Sequence, residues 1–150
     1  MSLTPTILIG TDFSDGSLAA FEAATIIAGA DRVATRLMHV FAPGRPEQLD
    51  LDASQWLERA GVTADWIGFR NGNAAVELAR AARVLDAGLI VVGANGRSGR
   101  QSLRLGSTAS RLSLIAPCPV VVVNGLGRPV AENDVHLPRP IVISEGRGVS

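Results

Sequence analysis

The chain has 150 residues, is 47% hydrophobic and 19% charged, and balances 14 basic against 14 acidic side chains for a net charge of zero. That length and composition fit one globular domain that buries about two thirds of its extended surface, and the neutral balance argues against nucleic acid or a membrane surface as the main partner. All 14 basic residues are arginine, which excludes mechanisms built on a phosphate-binding lysine, a Schiff-base lysine or a kinase lysine.

Thr6–Thr11 is an apolar run between Pro5 and Asp12 and reads as a buried strand. Ser14, Asp15 and Ser17 supply capping residues, after which Leu18, Phe21, Ala24 and Ala28 recur at helical spacing to about Ala30. A second strand is expected over Thr35–Phe41, stopped by Pro43 and Gly44. Leu49, Ala53, Trp56, Leu57 and Ala60 share one face of a short helix ending at Gly61. Thr63–Phe69 reads as a third strand, closed by Asn71-Gly72. Asn73 caps a helix over Ala74–Leu85, with Val76, Ala79, Ala82 and Leu85 or their neighbours inward, and Gly88 ends it. A fourth strand covers Leu89–Val92, a helix runs from Ser107 to Ala116, and a fifth strand covers Pro119–Val123. Five alternations of strand and helix on short connections specify a parallel α/β sheet with helices on both faces. Trp56 and Trp66 are expected in the core. Residues 1–125 form the domain, and glycines and prolines crowd an extension over 126–150, within which Pro140–Ser144 offers one further strand for a sheet edge.

The segment from Gly93 to Ser107 carries the chemistry. It follows a buried strand and leads into a helix, an arrangement that gathers backbone N–H groups and a positive dipole end around an anion. Arg97, Arg100, Arg104 and Arg111 lie between Gly93 and Arg111 with no acid among them. Gly93, Gly96 and Gly106-Ser107 are spaced as Gly, two residues, Gly, nine residues, Gly-Ser. This resembles the nucleotide-binding motif of the ATP-binding universal stress proteins, and the element order over residues 5–124 resembles that family as well.

The resemblance implies a sheet of strand order 3-2-1-4-5, with its crevice between the carboxyl ends of strands one and four. It implies ATP or another adenine nucleotide with Mg2+ as ligand, bound by Gly10, Thr11, Asp12, Val40, Gly93, Ala94, Gly96, Arg97, Gly106, Ser107 and Thr108. Asp12 then contacts the ribose or a metal-bound water, the Val40 backbone meets the adenine edge, and Ser107 and Thr108 hold phosphate oxygens. Each residue also has a plain structural role: glycines permit turns, and Asp12, Ser107 and Thr108 suit helix caps. Gly10-Thr11 departs from relatives, which often carry proline and a small apolar residue there. Residues 42–62 are short for the family, which predicts a sheet face or crevice in need of cover.

The function implied is a regulatory module of the stress response that binds the nucleotide without turning it over, since no nucleophile-base pair or metal-ligand cluster has the required spacing. A slow nucleotide hydrolase using Asp12, a nucleotide-free dimerisation module and a flavodoxin-like carrier are the rivals. His39 reads as a packed histidine. The apolar runs are far shorter than the roughly 20 residues that span a bilayer, and no secretory leader pattern opens the chain. The single cysteine, Cys118, leaves no internal disulfide framework, as suits a cytoplasmic protein. Pro119–Val123, as the last parallel strand, is expected to form a homodimer through its open edge, and the tail around Ile141–Ile143 is the rival cover, folding back as an antiparallel strand to leave a monomer.

Overall fold

The computed structural model describes residues 6–29, 33–44, 48–94, 106–124 and 142–144. In chain order these form β1 (Thr6–Thr11), α1 (Asp15–Ala28), β2 (Ala34–Phe41), α2 (Leu51–Ala60), β3 (Ile67–Asn71), α3 (Ala74–Leu85), β4 (Leu89–Gly93), α4 (Ser107–Ile115), β5 (Val120–Val123) and β6 (Val142–Ser144). The sheet order is β3-β2-β1-β4-β5-β6. The first five strands are parallel, in the expected order 3-2-1-4-5, and β6 adds itself antiparallel to β5.

Side chains alternate across each strand, so β1, β2, β4 and β5 each feed two cores. Ile7, Ile9, Leu37, Val91, Val121 and Val123 face α1 and α2, where they pack with Phe21, Ala24 and Trp56. Leu8, Met38, Ile90, Val92, Val120 and Val122 face the opposite way, onto Leu78, Ala79 and Ala82 of α3 and Ala109 and Leu112 of α4. Continuous apolar strands are the consequence of burial on both sides. The many alanines of α1 and α3 let these helices lie close to the sheet, and Ala20, Ala24, Ala79 and Ala82 are almost wholly buried.

Two expectations change. The segment Thr63–Phe69 is not one strand: Ala64–Trp66 make a 3-10 turn, with the Thr63 hydroxyl donating to Asp65, and extended pairing starts at Ile67. The Trp66 amide donates to the Thr63 carbonyl at 3.0 Å, which closes the turn in place of a ladder bond. Trp66 therefore lies outside the core, 45% exposed, with its ring edge-on to Phe21. β6 pairs along the outer edge of Val120–Val123, the strand whose edge the expected homodimer would use.

The short segment after β2 does cover its sheet face. In α2, Ala53, Trp56 and Leu57 are buried, Trp56 stands edge-on to Phe13 and Phe21, and its indole Nε1 donates to the Ser14 carbonyl at 3.1 Å. One large aromatic thus substitutes for helix length, with its polar atom satisfied.

Cys118 lies just before β5, 4% exposed, and burial pushes its thiol from 9.0 up to about 11. The native thiol should resist an aromatic disulfide reagent at mildly alkaline pH and react promptly after denaturation. Above the ordinary thiol pKa the unfolded chain binds fewer protons than the folded one, so stability present below that pH should decline as pH rises toward 11. Denaturant midpoints measured across this range, against a Cys118→Ala control, check the sign.

Candidate functional site

The crevice forms where the strand order reverses. From β1 the chain moves outward through β2 and β3, then returns to β4 on the other side of β1. Connections therefore leave the carboxyl ends of β1 and β4 on opposite faces and open a cleft between them. A cavity of about 350 Å³ lies there, within the range of about 300–1,000 Å³ that suits a small ligand. Gly10, Thr11, Asp12, Val40, Gly93, Ala94, Gly106, Ser107 and Thr108 all line it. Gly96 and Arg97 lie outside the described residues, as do Arg100 and Arg104.

The walls differ in character. Met38, Val40, Ala74, Leu78, Val92 and Ala109 make an apolar side. Thr11, Asp12 and Ser17, with Ser107 and Thr108, make a polar one. Met38, Leu78 and Ser17 are additions that sequence reasoning missed. Met38 was findable, since it shares a strand face with Val40 two positions on. Leu78 and Ser17 arrive from helices, and only the packing of α3 and α1 brings them in.

Behind the polar wall the hydroxyls are fully engaged. Ser17 Oγ donates to the Ser14 carbonyl at 2.9 Å and accepts from the Ser14 amide at 3.0 Å. Its proton being spent, the 2.9 Å contact with Thr11 is made by the Thr11 hydroxyl donating. The Phe13 amide in turn donates to Thr11 Oγ1 at 2.9 Å. Asp12 accepts from the Ser14 amide and hydroxyl, so the carboxylate is oriented by the turn that begins α1 while remaining half-buried at the cleft. Phe13 holds a left-handed backbone, φ 64°, unusual for a bulky residue. Its ring packs against His39 at 4.4 Å and Trp56 at 5.7 Å, contacts that offset the strain. His39 Nδ1 lies 2.7 Å from the Thr11 carbonyl. A carbonyl only accepts, so Nδ1 carries the proton. This histidine ties β2 to β1 beneath the cleft, consistent with a packed role.

The helix ends distinguish themselves. Ser14 caps α1, Asp50 caps α2 and Asn73 caps α3, each side chain accepting a backbone N–H, and each first turn contains an acid: Asp15, Asp52 and Glu77. At α4 the N-cap is Gly106, with no side-chain cap and no acid in the first turn. The N-terminal N–H groups of a helix need partners, and its dipole favours negative charge. At α4 both needs face the cleft. The Gly106 amide donates to the Ala94 carbonyl at 2.6 Å, and the Ala94 amide donates to Val123 at 2.8 Å. The two ends of the glycine-rich loop are therefore clasped together and fastened to β5.

Two glycines of this site are held by different obstacles. A Cβ at Gly93 would sit 2.9 Å from the Gly16 carbonyl carbon and 3.1 Å from the Ser17 nitrogen, both backbone. At Gly10 the nearest atom is Leu78 Cδ1 at 2.9 Å, the end of a flexible side chain. Gly93→Ala should cost about 1–3 kcal/mol through overpacking that backbone cannot relieve, and Gly10→Ala less than about 1.5 kcal/mol. Urea denaturation of both variants measures the contrast.

The model of the Universal stress protein family matches residues 4–124. Universal stress protein YxiE of Bacillus subtilis is 36% identical over 72 residues, a stretch that is 48% of this chain and 48% of that relative, so the match spans about half of its length. The fold is shared with the hypothetical protein MJ0577, at a TM-score of 0.66 and 17% identity over 82% of this chain and 97% of that one. It is shared also with a universal stress protein solved in complex with cAMP, at a TM-score of 0.54 and 26% identity over 81% of this chain and 98% of that one. The match of the family model across most of the chain, on a sheet with the order described above, establishes that this chain belongs to the universal stress protein family.

Proposed function

We propose that the cleft binds an adenine nucleotide, ATP in the first instance, and that the chain acts as a cytosolic regulatory module of the stress response. The observation that carries the reading is the N-terminus of α4: uncapped, free of acid and directed at a cleft whose opposite wall is apolar. Phosphate oxygens complete the hydrogen bonding of that helix start, with the hydroxyls of Ser107 and Thr108 as further donors. The base lies against Met38, Val40 and Leu78, and Asp12 faces the sugar. Family membership and the cAMP complex of a relative support a nucleotide at this place. Mg2+ fits the donor set as an ion held mainly by phosphates and water, with Asp12 as the single carboxylate near it.

Binding without turnover is the second half of the proposal. Asp12 is the one ionisable side chain among the described lining residues, and it already accepts two bonds from Ser14. A carboxylate so engaged orients a ligand more readily than it takes a proton from water. Incubation with Mg2+ and ATP should release product only at the background rate, whereas multiple turnovers that disappear in Asp12→Ala would establish a hydrolase.

Ser107→Asp tests the site directly. The added carboxylate gives α4 the first-turn acid that it lacks, worth about 0.3–1 kcal/mol of stability, and it repels phosphates. Calorimetry should show ATP affinity reduced at least about tenfold, a loss of about 1.4 kcal/mol, while the melting temperature holds or rises. Unchanged affinity in a folded variant would remove α4 from the site. Mass spectrometry of nucleotide released from the denatured wild-type protein identifies which nucleotide it carries.

A further inference from the structure

Asp12 reaches the cleft from a turn that is pegged on both sides by rings from outside it. Before Asp12, the Thr11 carbonyl accepts from His39 Nδ1 of β2 at 2.7 Å. After it, the Ser14 carbonyl accepts from Trp56 Nε1 of α2 at 3.1 Å. Phe13, the residue between Asp12 and Ser14, sets its ring against the same two side chains. Its positive φ, 64°, is a conformation that a bulky residue keeps only where its surroundings over-determine it. The Asp12 carboxylate accepts from both the amide and the hydroxyl of Ser14, so its aim follows wherever Ser14 is held. The other donors to the Ser14 carbonyl, the Leu18 amide and the Ser17 hydroxyl, belong to α1 itself. Among the described donors, Trp56 is therefore the one that ties this carbonyl to another part of the fold. It is 2% exposed and does not line the cleft.

We propose that Trp56 is a positioning residue for the nucleotide: through the Ser14 carbonyl and the Phe13 ring, its indole holds Asp12 toward the sugar and links α2 to the occupancy of a cleft that α2 does not line. This proposal rests on the nucleotide reading of the cleft. Without the indole N–H, the turn relaxes toward the negative φ that a residue such as Phe13 otherwise prefers, and Asp12 moves with Ser14. The start of α1 has a second tie to α2, the ion pair of Arg59 with Asp15 at 2.9 Å. Both of its side chains are exposed, where such a pair contributes little, so the coupling runs through Trp56. By linkage, a ligand that draws on Asp12 acts back on Trp56 to the same extent.

The test is calorimetry with Mg2+ and ATP on the full-length chain. It compares Trp56→Phe, which keeps a ring and loses the N–H, with Asp12→Ala and with the double variant. Trp56→Phe should weaken ATP binding at least about threefold, the loss of one hydrogen bond, and should have no further effect once Asp12 is alanine. Arg59→Ala should bind as the wild type does. Unchanged affinity in a folded Trp56→Phe overturns the proposal, as does an equal loss with and without Asp12, or the same loss in Arg59→Ala. A wild type that binds no adenine nucleotide overturns the nucleotide reading, and this proposal with it. Trp66→Phe leaves Trp56 as the only tryptophan and gives a readout that stands whether or not Trp56→Phe folds. Its emission should shift on saturation with ATP, and the shift should vanish in Trp66→Phe/Asp12→Ala at saturating ATP. An emission that ATP leaves unchanged, or a shift that survives the loss of Asp12, overturns the proposal.

Discussion

The carboxyl end of β4 runs so close to the first turn of α1 that no side chain fits between them. Gly93 lies against Gly16 and Ser17 backbone to backbone, and that approach brings the start of α1 and the end of β4 to the same point on the cleft. From it follow the placement of Ser17 behind Thr11, the turn that orients Asp12, and the position at which the glycine-rich loop must leave the sheet. Ala94 then bonds to both Val123 and Gly106, which fixes where α4 can begin. The cleft is therefore a product of backbone packing, with side chains added to a frame already determined.

The free-energy logic of the site rests on a contrast within one chain. Three helices complete their own N-termini with Ser14, Asp50 and Asn73. Replacing caps of this kind with alanine typically costs about 1 kcal/mol, so the absence of one at α4 is a local sacrifice of stability. Gly106 brings no side chain to the place that a ligand oxygen would occupy, and the helix start is left open toward the cleft. A cap at that position would stabilise the empty protein and fill part of the cavity. The same opposition between local stability and an open binding surface appears at Phe13, whose left-handed backbone is tolerated because its ring is clamped by His39 and Trp56.

Much of this was legible in the residues because burial on both faces of a parallel sheet leaves an unambiguous trace. Apolar runs marked β1, β4 and β5 closely, and Ser14, Asn73 and Gly61 marked helix ends that the structure reproduces. The expected site residues that the structure describes all meet at one cleft because a spacing of glycines encodes a backbone path. The failures have a common cause. At Thr63–Trp66 the backbone turns back on itself, the Trp66 amide bonding the Thr63 carbonyl, and period-two alternation does not register that turn. Leu78 and Ser17 enter the site through helix packing, which no linear spacing records. The short strand within Pro140–Ser144, by contrast, was legible as an addition to a sheet edge, and Val142–Ser144 pair antiparallel with β5.

The division of the interior by the sheet has a consequence for how such a protein diversifies. One core holds α1 and α2 against the sheet, and the other holds α3 and α4. The apolar wall of the cleft, from Met38 to Leu78, Val92 and Ala109, belongs to the second core, whereas Thr11 and Ser17 stand with α1 on the side of the first. Substitutions buried in different cores share few neighbours, and their effects should sum rather than interact. A lineage can then reshape the wall that grips one part of a ligand while the turn that presents Asp12 drifts separately. The sheet works as a partition between two evolutionary compartments that share a single opening.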